Sequence, residues 1–99
     1  MGGIELAVDL AKMTMAEVEI QKALATYRSA VEKAKVAAAA LRANWDGDAA
    51  QAFENEQANA YKWHLCIFDI IDAFISELER AIRTYREYEE KIKALIHSS

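Results

Sequence analysis

The side chains best suited to chemistry crowd together past the middle of the chain. His64, Cys66, Asp69 and Asp72 place an imidazole, a thiol and two carboxylates within nine positions. A metal site or an activated nucleophile would need them to converge, and on a helix that means a spacing of three or four residues. His64 and Cys66 are two apart and face different directions. Neither Asp69 nor Asp72 stands at ligand spacing from His64, so no metal is expected. Cys66 lies in an apolar run, where a small buried thiol is the expectation. His97, Glu17, Glu19, Glu54 and Glu56 read as solvated. No glycine-rich loop, nucleophile elbow or paired-acid site is present, and two helices offer little concave pocket. The pattern points away from an enzyme and from any cofactor.

The elements that would carry these residues are helices. The chain has 99 residues, 54% apolar and 28% charged, with no proline and abundant Ala, Glu, Lys, Leu and Arg. That composition suits a single all-α domain over 1–99. A net charge of −4 argues against nucleic acid and against anionic membrane surfaces as partners. One cysteine permits no intrachain disulfide. Residues 1–20 lack a basic region followed by an apolar core, so no cleavable signal peptide is expected. Met1-Gly2-Gly3 lacks the Ser or Thr at position 6 that myristoylation calls for, since Leu6 stands there.

The punctuation falls at Asn44-Trp45-Asp46-Gly47-Asp48. Gly47 is the one glycine outside the extreme N-terminus, and glycine suits a sharp reversal because it reaches positive φ without a Cβ clash. Asn44 tolerates the left-handed region and can end a first helix over 8–43. Asp48-Ala49-Ala50-Gln51 reads as a capping box opening a second helix over 48–96. Trp45, the largest side chain near the turn, would pin the helices where they meet. The spacing Ile20, Leu24, Tyr27, Val31, Ala34, Ala38, Leu41, Trp45 alternates four and three, and predicts a heptad seam. Upstream, Val8, Ala11, Met15 and Val18 continue an apolar stripe on a nearby face. Ala16, Ala23, Ala30 and Ala37 recur every seven residues beside the seam, where small side chains let another helix approach.

The second helix keeps the same rule from Phe53 through Gln57, Ala60, His64, Ile67, Ile71, Phe74, Leu78, Ala81, Tyr85 and Tyr88 to Ile92 and Leu95, with Tyr61, Leu65, Phe68, Ile75 and Ile82 beside it. Between Tyr61 and Ile75 it is apolar almost all round, which calls for more than one neighbour. Fifteen residues interrupted by Asp69 and Asp72 are too few to span a bilayer, so stable membrane insertion is not expected. Two hairpins associating into a four-helix bundle would cover the surface. Tyr61, Leu65, Phe68, Ile71, Phe74 and Ile75 are the expected core and dimer interface. At 1.5 Å per residue the helices would run about 54 Å and about 73 Å, leaving roughly the last dozen residues overhanging.

These features resemble the WXG-100 (ESAT-6-like) proteins. The turn reads Trp45-Asp46-Gly47, it is near-central, and the flanking helices are proline-free. Near the end, Tyr85-Arg86-Glu87-Tyr88-Glu89 matches the family's Tyr-x-x-x-Asp/Glu export signal, and Ile92 and Ile96 fit its downstream apolar positions. The resemblance implies secretion of the folded protein by a type VII (ESX/Ess-like) system, without a cleavable signal peptide, after recognition by an FtsK-like membrane ATPase. It implies a homodimer, with a heterodimer with a related Trp-x-Gly protein as the alternative. By that analogy Tyr85 and Glu89 are read on an exposed helix face, and Trp45 and Gly47 shape the adjacent turn. Tyr88 departs from the pattern by offering a second ring three residues on. The other role the resemblance allows is an adaptor that escorts a larger exported toxin.

Overall fold

A computed structural model of the chain describes residues 2–98, with side chains from position 5 onward. Two α-helices make up the fold: α1 spans Gly2–Ala43 and α2 spans Asp48–Ser98. They pack against each other as an all-α helical hairpin. Long helices follow from a chain with no proline and no glycine between Gly3 and Gly47. The first helix does not wait until residue 8. It starts at Gly2, because Leu6 already sits at seam spacing and is half-buried, and Glu5 lies in the first turn, where a carboxylate suits the helix dipole. α2 has 51 residues against 42 in α1. The difference is about 14 Å of helix, shorter than a start at residue 8 would leave. Residues 94–98 are exposed, whereas Ile92 is half-buried.

The hairpin divides into two compact units. The hinge unit comprises Ala23–Asp72. Its buried side chains are Leu24 and Val31 on α1 and Ala50 and Phe68 on α2. Tyr27, Ala38, Trp45, Phe53, Tyr61, His64, Ile67 and Ile71 are half-buried around them. Burial of a ring such as Phe68, 7% exposed, contributes about 2–3 kcal/mol. Tyr27 packs edge-on against Phe68 with centroids 4.8 Å apart, an arrangement favoured by the ring quadrupoles. Two expected seam positions on α1 differ. Leu41 is exposed, and Arg42 takes the inward position instead because its guanidinium finds acceptors there. Ala34 is exposed as well.

The terminal unit comprises Met1–Lys22 and Ala73–Ser99. Ile75 and Ile82 are its buried side chains. On α1 the half-buried seam positions are Leu6, Leu10, Met13, Glu17 and Ile20, with Thr14 half-buried beside them. That row carries the alternation of four and three back toward the N-terminus. The expected upstream stripe of Val8, Ala11, Met15 and Val18 is instead exposed. A glutamate occupies one seam position, and its charge hides the pattern from a reading based on hydrophobicity alone.

Candidate functional site

The turn is built from the backbone outward. α1 tightens as it ends: Asn44 N donates to Leu41 O at 3.1 Å, and Trp45 N donates to Arg42 O at 3.2 Å. Asn44 does this with negative φ, so the expected left-handed asparagine is not used, and its side chain donates to Ala40 O at 3.3 Å. Gly47 makes the reversal at φ +104°, a conformation that side chains with a Cβ resist. Gln51 N donates to Gly47 O at 3.0 Å and opens α2. Asp48 therefore lies inside the first turn, where its charge suits the dipole. The expected capping box does not form, since the Gln51 side chain donates to Asn55 at 3.2 Å.

Trp45 is half-buried against Phe53, with ring centroids 5.5 Å apart. Arg42 braces the same corner. Its Nη1 donates to Trp45 O at 2.6 Å, and its Nε lies 2.7 Å from Glu54 Oε2. That Nε contact is charge attraction rather than a directed hydrogen bond, since the N–H does not point at the oxygen. At the other end of the unit, Tyr27 Oη and His64 Nδ1 are 2.5 Å apart.

A cleft opens at the surface between these two braces. Trp45 with Phe53 props one end, and Tyr27 with His64 and Phe68 props the other. The cleft lining mixes short side chains, Ala34, Ala38, Ala58 and Ala60 among them, with the longer Lys35, Arg42, Glu54 and Tyr61. An open cleft of about 830 Å³ results, which falls in the range of ligand-sized sites. Gln57 and Ala60, expected on the seam, are accordingly exposed.

The C-terminal motif is placed differently from the expectation. Tyr85, Glu89 and Ile92 are all half-buried, while Tyr88 and Ile96 are exposed. Positions 85, 89 and 92 continue the spacing of Ile75, Leu78 and Ile82, so they fall on the inward row of α2. The half-burial of Tyr85 fits its place in the seam spacing, while the exposed face that the resemblance implies for Tyr85 and Glu89 is partly covered. Glu89 also pairs with Lys93 at 3.3 Å. Of the expected interface residues, Phe68 and Ile75 are buried within the hairpin and Tyr61 and Ile71 are half-buried. Only Leu65 and Phe74 remain exposed.

Among the described residues of the terminal unit, Glu17 is a perturbed carboxyl. Loss of hydration, a hydrogen bond with Glu79 and the Glu79 charge push the Glu17 pKa up, and Arg86 partly offsets them. Gln21 Nε2 donates to Glu17 Oε1 at 3.3 Å. The expectation of a plain solvated Glu17 is corrected, because the seam carries it toward Glu79.

Cys66 is exposed rather than buried, because it falls on a flank of α2 away from the seam. Among the described residues, no three His, Cys, Asp or Glu side chains converge as metal ligands. Among the described residues, no helix is long and apolar enough to cross a membrane. Sequence reasoning missed Trp63, 72% exposed, and Ile70, 67% exposed. Their separation by seven residues, outside the seam, was the available signal. No family model, curated protein or solved structure matches the chain.

Proposed function

We propose that this chain is a small non-enzymatic substrate of a type VII secretion system, exported as a folded dimer and acting through protein–protein contacts. The observation that carries the reading is the Trp45-Asp46-Gly47 turn, with Gly47 at φ +104° between two helices of 42 and 51 residues. The sequence Tyr85-x-x-x-Glu89 in α2 supports it as the export signal, with Ile92 and Ile96 downstream. Because Tyr85 and Glu89 are half-buried, recognition by an FtsK-like ATPase reads their outward edges, or follows a local opening of the terminal unit.

The test replaces Tyr85 or Glu89 with Ala and measures the protein in culture supernatant. Loss of secretion with helix content and melting temperature retained supports the signal. Tyr85→Phe keeps the packing and separates a role for the hydroxyl from a role for the ring. Undiminished secretion with both residues replaced rejects the export signal.

The alanine-lined cleft favours a second reading, an adaptor that seats a helix of a larger exported protein. A purified chain that aggregates alone, and becomes soluble with a co-encoded helical partner, would select it over the homodimer.

A further inference from the structure

The cleft of the hinge unit differs in charge from the chain that carries it. Its lining is mostly apolar, with alanines of both helices, Ala34, Ala38, Ala58 and Ala60 among them, and the rings of Tyr27 and Phe53. Three cations, Lys35, Arg42 and Lys62, and one carboxylate, Glu54, make up the ionic part. With His64 neutral, those four groups leave the cleft at a net charge of +2 in a chain of net −4.

The three cations are not equivalent. Arg42 is engaged by Trp45 O and Glu54 at the turn end. Lys35 and Lys62 have no carboxylate partner among the described residues. Glu32, nearly one turn before Lys35, lies outside the lining and accepts from Tyr61 Oη at 2.9 Å. Lys35 Nζ stands 4.3 Å from the centroid of the Tyr61 ring, a contact that holds the ammonium at the cleft without neutralising it. Lys62 follows Tyr61 in sequence, so both lysines belong to one level of the hairpin.

That level is midway along the cleft. From Lys35 to Tyr27 is about 12 Å of helix, and from Lys35 to Arg42 about 10 Å. The rings of Tyr27, His64 and Phe68 stand at one end, and those of Trp45 and Phe53 at the other, so the occupant has a bounded length. The lining therefore calls for one anionic head and one apolar body of limited reach. A nucleotide or sugar phosphate would set polar groups against alanines that offer them no hydrogen bond.

We propose that the cleft binds a single-chain anionic amphiphile, a medium-chain fatty acid, with its carboxylate at Lys35 and Lys62 and its acyl chain along the alanines. The inference does not rest on the export reading, and it gives the cleft a smaller occupant than the adaptor's helix.

The probe is laurate below its micelle concentration, titrated into the full chain by calorimetry. The expected result is saturable, equimolar binding that weakens as salt is added, because exposed charges are screened. Lys35→Gln combined with Lys62→Gln should weaken binding about tenfold or more, since the charge-assisted contacts to the carboxylate are lost. Dodecanol, which has no charged head, should bind the wild-type chain as weakly as laurate binds that variant. Each methylene buried adds up to about fourfold, so affinity should fall from laurate to decanoate to octanoate. Ala34→Trp and Ala58→Trp, at exposed positions on the two helices, fill the cleft and should each abolish binding with helix content unchanged.

A wild-type chain that does not bind laurate overturns the inference. Binding that survives both tryptophans, or that the lysine pair leaves unchanged, is detergent-like adsorption and overturns it as well. Where laurate fails and Ala34→Trp instead releases a co-encoded helical protein or a second copy, a helix is the occupant. The inference then falls while the adaptor or the dimer stands.

Discussion

Tyr27 Oη lies 2.5 Å from His64 Nδ1, joining α1 to α2 at the end of the cleft away from the turn. The rings meet edge-on at 84°, and Phe68 completes the stack beneath Tyr27. With Nδ1 unprotonated, the phenol donates and the imidazole accepts. His64, which the sequence offers as a candidate for chemistry, is thereby engaged in holding two helices at a fixed separation.

Tyr27→Phe removes the hydroxyl and keeps the ring. Partly buried hydrogen bonds contribute about 1 kcal/mol, so urea unfolding should report a loss near that size. A double-mutant cycle with His64→Phe should give a coupling of similar magnitude. A coupling of zero would mean that the pair is incidental to stability.

Gly47→Ala tests the turn. A Cβ there meets nothing within 4 Å, so any cost comes from φ +104° and not from crowding. Alanine should cost about 1–2 kcal/mol, measured by thermal unfolding. Asn should cost less than Ala, because its side chain compensates at positive φ. Equal stability of Gly, Asn and Ala would show that the backbone at position 47 is not strained.

Arg42→Met keeps an apolar stem and removes the charge that contacts Trp45 O and Glu54. A loss of about 1–2 kcal/mol is expected, since the carbonyl and carboxylate lose their partner. Glu54→Gln should cost less than Arg42→Met because the bond to Trp45 O survives. Glu54 is also half in solvent, which screens its pairing.

Glu17 gives the pH dependence. Its folded pKa is raised above the ordinary 4.5. A raised carboxyl favours the protonated folded state, so its contribution is fully present below that ordinary value and is lost as pH rises through the folded one. Glu17→Gln removes the repulsion from Glu79 at neutral pH. The variant should be more stable than wild type at pH 7, and the difference should shrink toward pH 4. Chemical unfolding at several pH values checks both the sign and the window. A constant difference across that range would assign the effect to packing.

How much was legible follows from these residues. Helix class, the turn at Trp45–Gly47 and the seam through Leu24, Val31, Phe68 and Ile75 are written in hydrophobic period and glycine placement, so the sequence predicts them. Leu6, Leu10 and Met13 escaped because Glu17 interrupts their row, and a buried-side carboxyl looks like a surface one until its neighbour Glu79 is known. Arg42 displaced Leu41 from the inward position through acceptors, Trp45 O and Glu54, that only the folded turn assembles. The cleft escaped for a similar reason. Its lining comes from both helices, Ala34 and Ala38 on one and Ala58 and Ala60 on the other, and which of these face a common opening is set only by the packed pair. Tyr85 and Glu89 carry a motif legible in the letters, yet which face they occupy depends on the phase of a 51-residue helix.

The most direct measurement of the central claim compares culture supernatants from a strain with its type VII membrane ATPase intact and from one in which that ATPase is deleted. The account predicts that the full-length chain accumulates outside the cell only when the ATPase is present, while cytoplasmic levels rise in its absence. Equal amounts in both supernatants, with no lysis marker released, would contradict it.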